Sequence, residues 1–478
     1  MKKELLYLSM FAASGISPQT ATASHKAKEQ EKPNVLFLIV DDLRPQLGCY
    51  GNTTVHTPNI DALAKQGVTF ENNFCNYPVC GPSRASFMSG IRPHKKLLVN
   101  NHSRVDKDFP GFESMPGTFK NNGYHTVSLG KVLHHRLDCK DDWSEHPWGP
   151  GDGDKNKAIT GWRNYLSKEN IELCKKHGKV GKAWEIGNVS DEAYYDGRTT
   201  SKAIEKLKQF QKKGEPFFMA VGLTKPHLPF IAPKKYFDLY PLESIKLAKN
   251  PNMSENAPQS AFTNWPELRK YVGMPKKGPM PDSLAKKLIR GYCASASYSD
   301  ALVGKILKNL KELDLDENTI VVLIGDHGWL LGEHSLWAKH SNFKLALSTP
   351  LIVKGPGVKA NKRADGLTEL VDIYPSLCDL TGIEIPEYLE GESFAPLLKK
   401  PSLTGKKATY AKMGNGWSAV TKRYIYTEWL DKNNQVTDRM LFDHVKDPEE
   451  NMNVAENEDM QEVVNEMKQL LNGYLQAH

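Results

Sequence analysis

Cys80 and Arg84 stand four residues apart in the string Cys80-Gly81-Pro82-Ser83-Arg84, which continues Ala85-Ser86-Phe87-Met88-Ser89-Gly90. As chemistry, this sets a candidate nucleophile beside a cation able to hold an anion. The plain alternative is a buried free cysteine in a turn, since cysteine is among the most buried residue types. A second group is Asp41-Asp42 with Asp326-His327, a candidate divalent-metal site. Its three carboxylates favour a hard cation such as calcium or magnesium over zinc, although a histidine ligand is less usual for calcium. Asp pairs also cap helices. Two adjacent carboxylates directly after an apolar strand would repel, however, unless something cationic sits between them. A third group, Lys131 with His134 and His135 and then Lys225-Pro226-His227, offers cations and proton carriers.

These residues share a position relative to short apolar runs bounded by turn residues, the pattern of strands. Asn34–Val40 is apolar throughout, which predicts a strand buried on both faces. Further strands are predicted at 126–129, 216–222 and 319–325. Helices are predicted at 59–66, between Pro58 and Gly67, and at 199–212 and 283–313. Alternating strands and helices predict an α/β fold with a large, mainly parallel central sheet flanked by helices. Open α/β sheets bind ligands beyond the carboxyl ends of their strands. After the four runs come Asp41-Asp42, Lys131 and His134-His135, Lys225 and His227, and Asp326-His327. Four coincidences of this kind point to one shared site rather than to solvated loop charges.

The stretches 138–195 and 231–282 interrupt the pattern and read as long surface excursions rimming the site. From about Leu398 short strand-like runs and an amphipathic segment at 461–475 predict a smaller C-terminal α+β subdomain. The expected organisation is an export signal at 1–23, a flexible lead-in at 24–32, a catalytic domain at 33–397 and the subdomain at 398–478. The signal rests on Lys2 and Lys3, the apolar stretch from Leu5 to Ile16 and the small-residue site Ala21-Thr22-Ala23. It predicts a periplasmic, secreted or lumenal protein.

The chain has 478 residues, with 39% apolar and 25% charged, an ordinary globular composition. Its net charge of +7 forms no block of the kind nucleic-acid binding uses and suits an anionic small substrate. No apolar run approaches the ~20 residues of a membrane span. Seven cysteines leave at least one unpaired, and none has zinc-type spacing. No P-loop, G-x-S-x-G elbow or H-E-x-x-H motif is present.

The segments N-V-L-F-L-I-V-D-D-L-R-P-Q-L-G-C-Y-G (34–51), T-P-N-I-D-A-L-A (57–64), V-C-G-P-S-R (79–84) and G-D-H-G-W (325–329) resemble the type I sulfatases. Within that family, L-G-K-V-L-H (129–134), K-P-H-L-P-F (225–230), L-Y-P-L-E (239–243), D-H-G-W-L-L-G-E-H-S-L-W-A-K-H-S-N-F (326–343) and D-P-E-E-N-M-N-V-A (447–455) resemble the iduronate-2-sulfatase, or uronate 2-O-sulfatase, subgroup. The resemblance spans essentially the whole chain after residue 33 and implies an alkaline-phosphatase-like sulfatase fold. Two departures are Ser89, where threonine is commoner, and His135 beside His134, which leaves open which histidine faces the site.

The resemblance implies that a maturation enzyme oxidises Cys80 to formylglycine, whose hydrate attacks sulfur. It implies that Asp41, Asp42, Asp326, His327 and the hydrate at position 80 bind the metal, most readily Ca2+ with Mg2+ as the alternative. Arg84 and Lys131 then hold the hydrate and the sulfate oxygens, and His227 and Lys339 are candidate acids at the leaving oxygen. His134 takes a proton from the hydrate's second hydroxyl, which lets sulfate depart without water attacking at sulfur. His94, Trp329 and Trp337 are weaker candidates for sugar contacts; for a tryptophan, burial in the core is the competing role. The implied substrate is a sulfated glycosaminoglycan oligosaccharide of the heparin/heparan or chondroitin/dermatan type. The enzyme would remove the 2-O-sulfate of its terminal iduronate or 4,5-unsaturated uronate. The alternatives are a phosphate or phosphonate ester hydrolase of the same fold, and a glycan-binding protein in which Cys80 stays unoxidised.

Overall fold

The computed structural model describes residues 32–152, 161, 163–178, 180–262 and 266–477. Residues 1–31, and with them the expected export signal, lie outside the described residues. Seven strands form the central sheet: β1 (Asn34–Val40), β2 (Val68–Phe74), β3 (His125–Gly130), β4 (Phe217–Leu223), β5 (Thr319–Gly325), β6 (Leu351–Lys354) and β7 (Lys362–Glu369). Their order is β7-β2-β6-β5-β1-β4-β3. The run β5-β1-β4-β3 is parallel throughout, and β2 is parallel to β7. Only β6 runs antiparallel to both its neighbours, so the sheet is mixed.

β1 is apolar at every position after Asn34 because both its faces are covered. Val35, Phe37 and Ile39 join a core shared with Ala85, Phe87 and Met88 of α2 (Cys80–Ser89). Leu36, Leu38 and Val40 face the opposite way, into a core built with α1 (Pro58–Ala64), α3 (Tyr195–Lys213) and α4 (Asp282–Glu312). Strand alternation alone sorts these side chains. This arrangement is the expected α/β sandwich.

The two excursions are not confined to the surface. The first buries Trp143, Tyr165, Ala183 and Tyr194, and the second buries Ile231, Tyr240, Ile245, Leu268 and Tyr271. A short parallel pair, Trp184–Gly187 with Phe230–Pro233, ties one to the other. Their polarity in sequence reflects loop backbone, but each carries enough apolar side chains to extend the core.

Toward the C-terminus, β8 (Thr409–Met413), β9 (Gly416–Val420), β10 (Tyr424–Leu430) and β11 (Val436–Asp443) form an antiparallel sheet in sequential order. One face, with Ala411, Val420, Ile425, Trp429 and Phe442, extends the main core. Trp417, Ala419, Tyr426 and Leu441 on the other face pack on Val464, Met467 and Leu471 of α5 (Gln461–Ala477). No described helix is long and apolar enough to cross a membrane.

Candidate active site

Because β5, β1, β4 and β3 are adjacent and parallel, their carboxyl ends form one edge of the sheet. In register, Val40 lies beside both Leu223 and Gly325, and Gly130 beside Gly222. The loops that follow therefore start at one level and meet. Gly222 is needed there, since a Cβ on it would lie 2.0 Å from the Lys131 backbone carbon. Any side chain would push the Lys131 loop away.

Asp41 and Asp42 follow β1, and Asp42 has a left-handed φ of +60°, a conformation Asp tolerates better than most residues. Two contacts hold it. Its N–H donates to Asp326 Oδ1 at 3.0 Å, and the Tyr292 hydroxyl of α4 donates to its carbonyl at 2.9 Å. The turn lets consecutive carboxylates enter one cavity. His327 donates Nδ1–H to the Gly328 carbonyl at 3.0 Å. That contact turns Nε2 toward Asp42 Oδ1 at 3.4 Å, Asp326 Oδ2 at 3.5 Å and Cys80 Sγ at 3.2 Å.

Cys80 opens α2, and Gly90, with φ +73°, closes it. All ten residues of this helix are buried. Its positive end lies at Cys80, which favours an anion there. Arg84, one turn on, shares that helix face. Its guanidinium is wholly buried. Nε donates to Asp326 Oδ2 at 2.8 Å and Nη2 to Asp41 Oδ1 at 3.1 Å. Nη1 donates to the Val132 carbonyl at 2.9 Å and also to the Lys131 carbonyl. Of the five N–H groups of an arginine, one at Nη2 remains. Arg84 therefore supports the carboxylates from behind, and it has little reach for the sulfate oxygens that the resemblance gave it.

Lys131 Nζ donates to Asp41 Oδ2 and lies 3.8 Å from Cys80 Sγ. Burial pushes the Asp41 carboxyl up, but Lys131 and Arg84 outweigh it and hold the group well below the usual range. Asp42 behaves oppositely. Burial pushes it up to about 7, Lys339 pulls against this, and the neighbouring Asp41 adds to it. Burial and then Asp41 raise the Cys80 thiol, so the sulfur stays protonated. Burial, helped by Lys131 and His135, pushes His134 down to about 3. His134 is thus a neutral base, and its buried Nδ1 has no hydrogen-bond partner. His135 instead turns its Nε2 to the Asn101 carbonyl at 2.8 Å.

Lys339 Nζ reaches Asp42 at 3.0 Å and sits 4.8 Å over the Trp329 ring. His227 Nε2 lies 3.9 Å from Asp42 Oδ2, and its Nδ1 donates to the Leu228 carbonyl at 2.6 Å. Sequence reasoning missed Glu267. Its Oε1 accepts from His227 Nε2 at 3.1 Å and from Lys339 Nζ at 3.2 Å. It lies in the excursion read as surface and follows no strand, so no positional signal marked it.

The three expected sugar contacts do not form one group. Trp329 is 1% exposed and forms a wall behind Lys339 and His227, so it offers no face to a sugar. Trp337 lines a separate pocket with Ala248, Pro251, Met280 and Gly332. His94 contacts Glu390 Oε1 at 3.1 Å. All seven cysteines are unpaired.

The donor set fits a divalent cation. Donor atoms of Asp41, Cys80, Asp326 and His327 lie within 4.8 Å of one another, and the same holds for Asp41, Asp42, Cys80 and His227. Three carboxylates and an imidazole nitrogen gathered at one point are the donor set of a hard divalent cation with one nitrogen ligand. Asp41, Asp42 and Asp326 are already balanced by Arg84, Lys131 and Lys339. A divalent ion would thus leave positive charge facing an anionic substrate.

Residues 33–383 match the family model described as sulfatase, and residues 332–477 match the N-sulphoglucosamine sulphohydrolase C-terminal model. The chain is 36% identical over 398 residues to iduronate 2-sulfatase from Mus musculus, covering 74% of this chain and 69% of that protein. Its fold superposes with a TM-score of 0.71 on a 2-O GAG sulfatase at 24% identity, covering 94% of this chain and 92% of the other. The TM-score is also 0.71 with the phosphonate monoester hydrolase from Silicibacter pomeroyi at 20% identity, covering 92% and 95%. At such identities these two likenesses are of fold alone.

Proposed function

The chain belongs to the sulfatase family and is a sulfuric ester hydrolase; from that premise we propose that it removes the 2-O-sulfate of a uronic acid at the non-reducing end of a glycosaminoglycan fragment. The observation that carries this reading is the identity of 36% to an iduronate 2-sulfatase over 74% of the chain. The structural neighbour named as a 2-O GAG sulfatase agrees with it in fold. Export, and a partner enzyme that matures Cys80, belong to the same proposal.

Asp41, Asp42, Asp326 and His327 would hold the metal, with calcium the first choice for so oxygen-rich a set. Bound there, it would supply positive charge against the sulfate oxygens and the attacking oxygen. Formylglycine at position 80 would supply that oxygen as one hydroxyl of its hydrate. The chain's own side chains do the rest. Lys131, with its ammonium beside position 80, orients the nucleophile and neutralises substrate charge. Lys339 and His227 stand where they can protonate the leaving sugar oxygen. His134 Nδ1, neutral at working pH, accepts a proton from the group at position 80.

The test is turnover of a matured sample on three substrates. These are an unsaturated disaccharide sulfated at O2 of its uronate, the isomer sulfated at O6 of its glucosamine, and phenyl phosphonate monoester. The 2-O-sulfated sugar should lead in kcat/KM by at least about 100-fold, the discrimination a site built to bind its substrate's polar groups can reach. A lead by the phosphonate would replace this reading with the ester-hydrolase alternative. A lead by the 6-O-sulfate would refute the position.

Metal binding should depend on pH through Asp42. In the metal-free fold this group titrates at about 7, against about 4 in an unfolded chain. Between those values the fold holds the extra proton, so Asp42 costs metal-free stability as pH rises through the window. A cation needs the carboxylate ionised and displaces that proton. Calorimetry should therefore show calcium affinity rising about tenfold per pH unit below about pH 7 and levelling above it, with proton release on the acid side. A flat profile would remove Asp42 from the ligand set.

A further inference from the structure

Glu267 is a carboxylate of the charged cluster that the expected metal set does not use. Its Oε1 receives two donors, His227 Nε2 at 3.1 Å and Lys339 Nζ at 3.2 Å. Its Oε2 is buried with no hydrogen-bond partner among the described residues and lies 4.0 Å from His340 Nδ1. Burial would push this carboxyl up, but Lys339 and His227 hold it well below the usual range, so it is anionic.

We propose that Glu267 is the positioning residue of the proton-donating pair, fixing His227 Nε2 and Lys339 Nζ so that both converge on the oxygen that departs with the sugar. Each donor would otherwise have another direction available. Lys339 ends a flexible four-carbon stem and can rest on Asp42, whose two oxygens lie at 3.0 and 3.3 Å. His227 Nε2 also lies 3.9 Å from Asp42 Oδ2, a second direction for its N–H. A single shared acceptor brings the two donors to one point, and a leaving oxygen is also a single atom. When the S–O bond breaks, its electron pair stays on that oxygen. The single Nε2–H of His227 points at Glu267, so the proton that completes the sugar hydroxyl comes from Lys339, whose ammonium carries three N–H groups and gives two of them to Asp42 and Glu267. Glu267 acts through these donors and need not touch the reacting atoms. The inference rests on the sulfatase reading of His227 and Lys339 given above.

The leaving group provides the test. A 4-nitrophenolate leaves readily without a proton, whereas a sugar alkoxide needs one. Wild type, Glu267→Gln and Glu267→Asp would be assayed on 4-nitrophenyl sulfate and on the 2-O-sulfated disaccharide, each pair of values from one preparation. Their ratio is then independent of the folded or matured fraction. Glu267→Gln should lose about 100-fold or more in kcat/KM on the sugar and about tenfold at most on the aryl sulfate, and Glu267→Asp should recover part of the ratio. Equal losses on both substrates would mean a merely structural role and overturn the proposal, as would an undiminished rate on the sugar. A wild type inactive on both sulfates would refute the reading beneath it and remove this inference too. An unshifted ratio in an active background counts against Glu267 alone.

Discussion

Cys80→Ala should lower sulfate ester turnover by about 10⁴-fold or more, the scale at which loss of a nucleophile leaves only binding and electrostatics. No neighbouring group can substitute. The side chain at position 80 begins the buried helix α2, with Sγ 3.2 Å from His327 Nε2 and 3.8 Å from Lys131 Nζ. The nearby oxygens belong to Asp41 and Asp326, which Arg84 and Lys131 already engage. The fold should survive, because alanine keeps the Cβ and the helix start and removes a single buried sulfur. Circular dichroism and the urea midpoint would check that. The same cavity bears on the unconverted thiol. Burial and Asp41 raise its pKa, and a protonated sulfur beside carboxylates is a poor nucleophile. Activity should therefore track the converted fraction, measured by mass spectrometry of the peptide spanning residues 72–92. A sample carrying only thiol at residue 80 yet turning over at full rate would refute the nucleophile assignment. So would normal activity in the alanine variant.

The parts of the site that could be read from sequence were those placed at strand ends. β1, β4 and β5 are mostly apolar runs and β3 is a shorter mixed one, and each is followed within two residues by a charged group. Adjacency and parallel direction then place those groups together without further information. What escaped detection lacked such a signal. β2 reads Val-Thr-Phe-Glu-Asn-Asn-Phe, and its alternation breaks at the polar triplet. β6 has four residues. α2 has no helical period of apolar residues because it is buried on every side, and Gly81, Pro82 and four serine or arginine positions disguise it as a turn. Such a helix is specified by tertiary surroundings, and a local pattern cannot show it. Glu267 is the extreme case. Nothing near it in sequence distinguishes it from a solvated glutamate, and only the arrival of Lys339 and His227 from two other loops makes it part of the site.

Arg84→Ala should destabilise the metal-free protein by about 3–5 kcal/mol, the usual cost of removing one partner from a buried ionic group. It should also lower activity about 10²- to 10³-fold through loss of the fixed charge behind the reacting group. Asp41 and Asp326 would each lose a contact to a guanidinium that water does not reach. Arg84→Lys should rescue little of either effect, since an ammonium cannot span both carboxylates and two backbone carbonyls. The pH dependence separates charge from cavity. Lys131 and Arg84 depress the folded pKa of Asp41 against burial. A depressed carboxyl contributes stability above its unfolded value of about 4, and that contribution disappears as pH falls through the lower folded value. The destabilisation caused by Arg84→Ala should accordingly be largest near neutral pH and shrink toward acid, where protonated carboxyls no longer need a counter-ion. A loss independent of pH would assign the effect to packing. A divalent cation supplies the next discrimination. If Asp41 and Asp326 are ligands, the ion replaces part of the missing charge, so calcium should raise the urea midpoint of Arg84→Ala by more than that of wild type. An equal or smaller shift in the variant would separate the carboxylates that Arg84 holds from those that bind the metal.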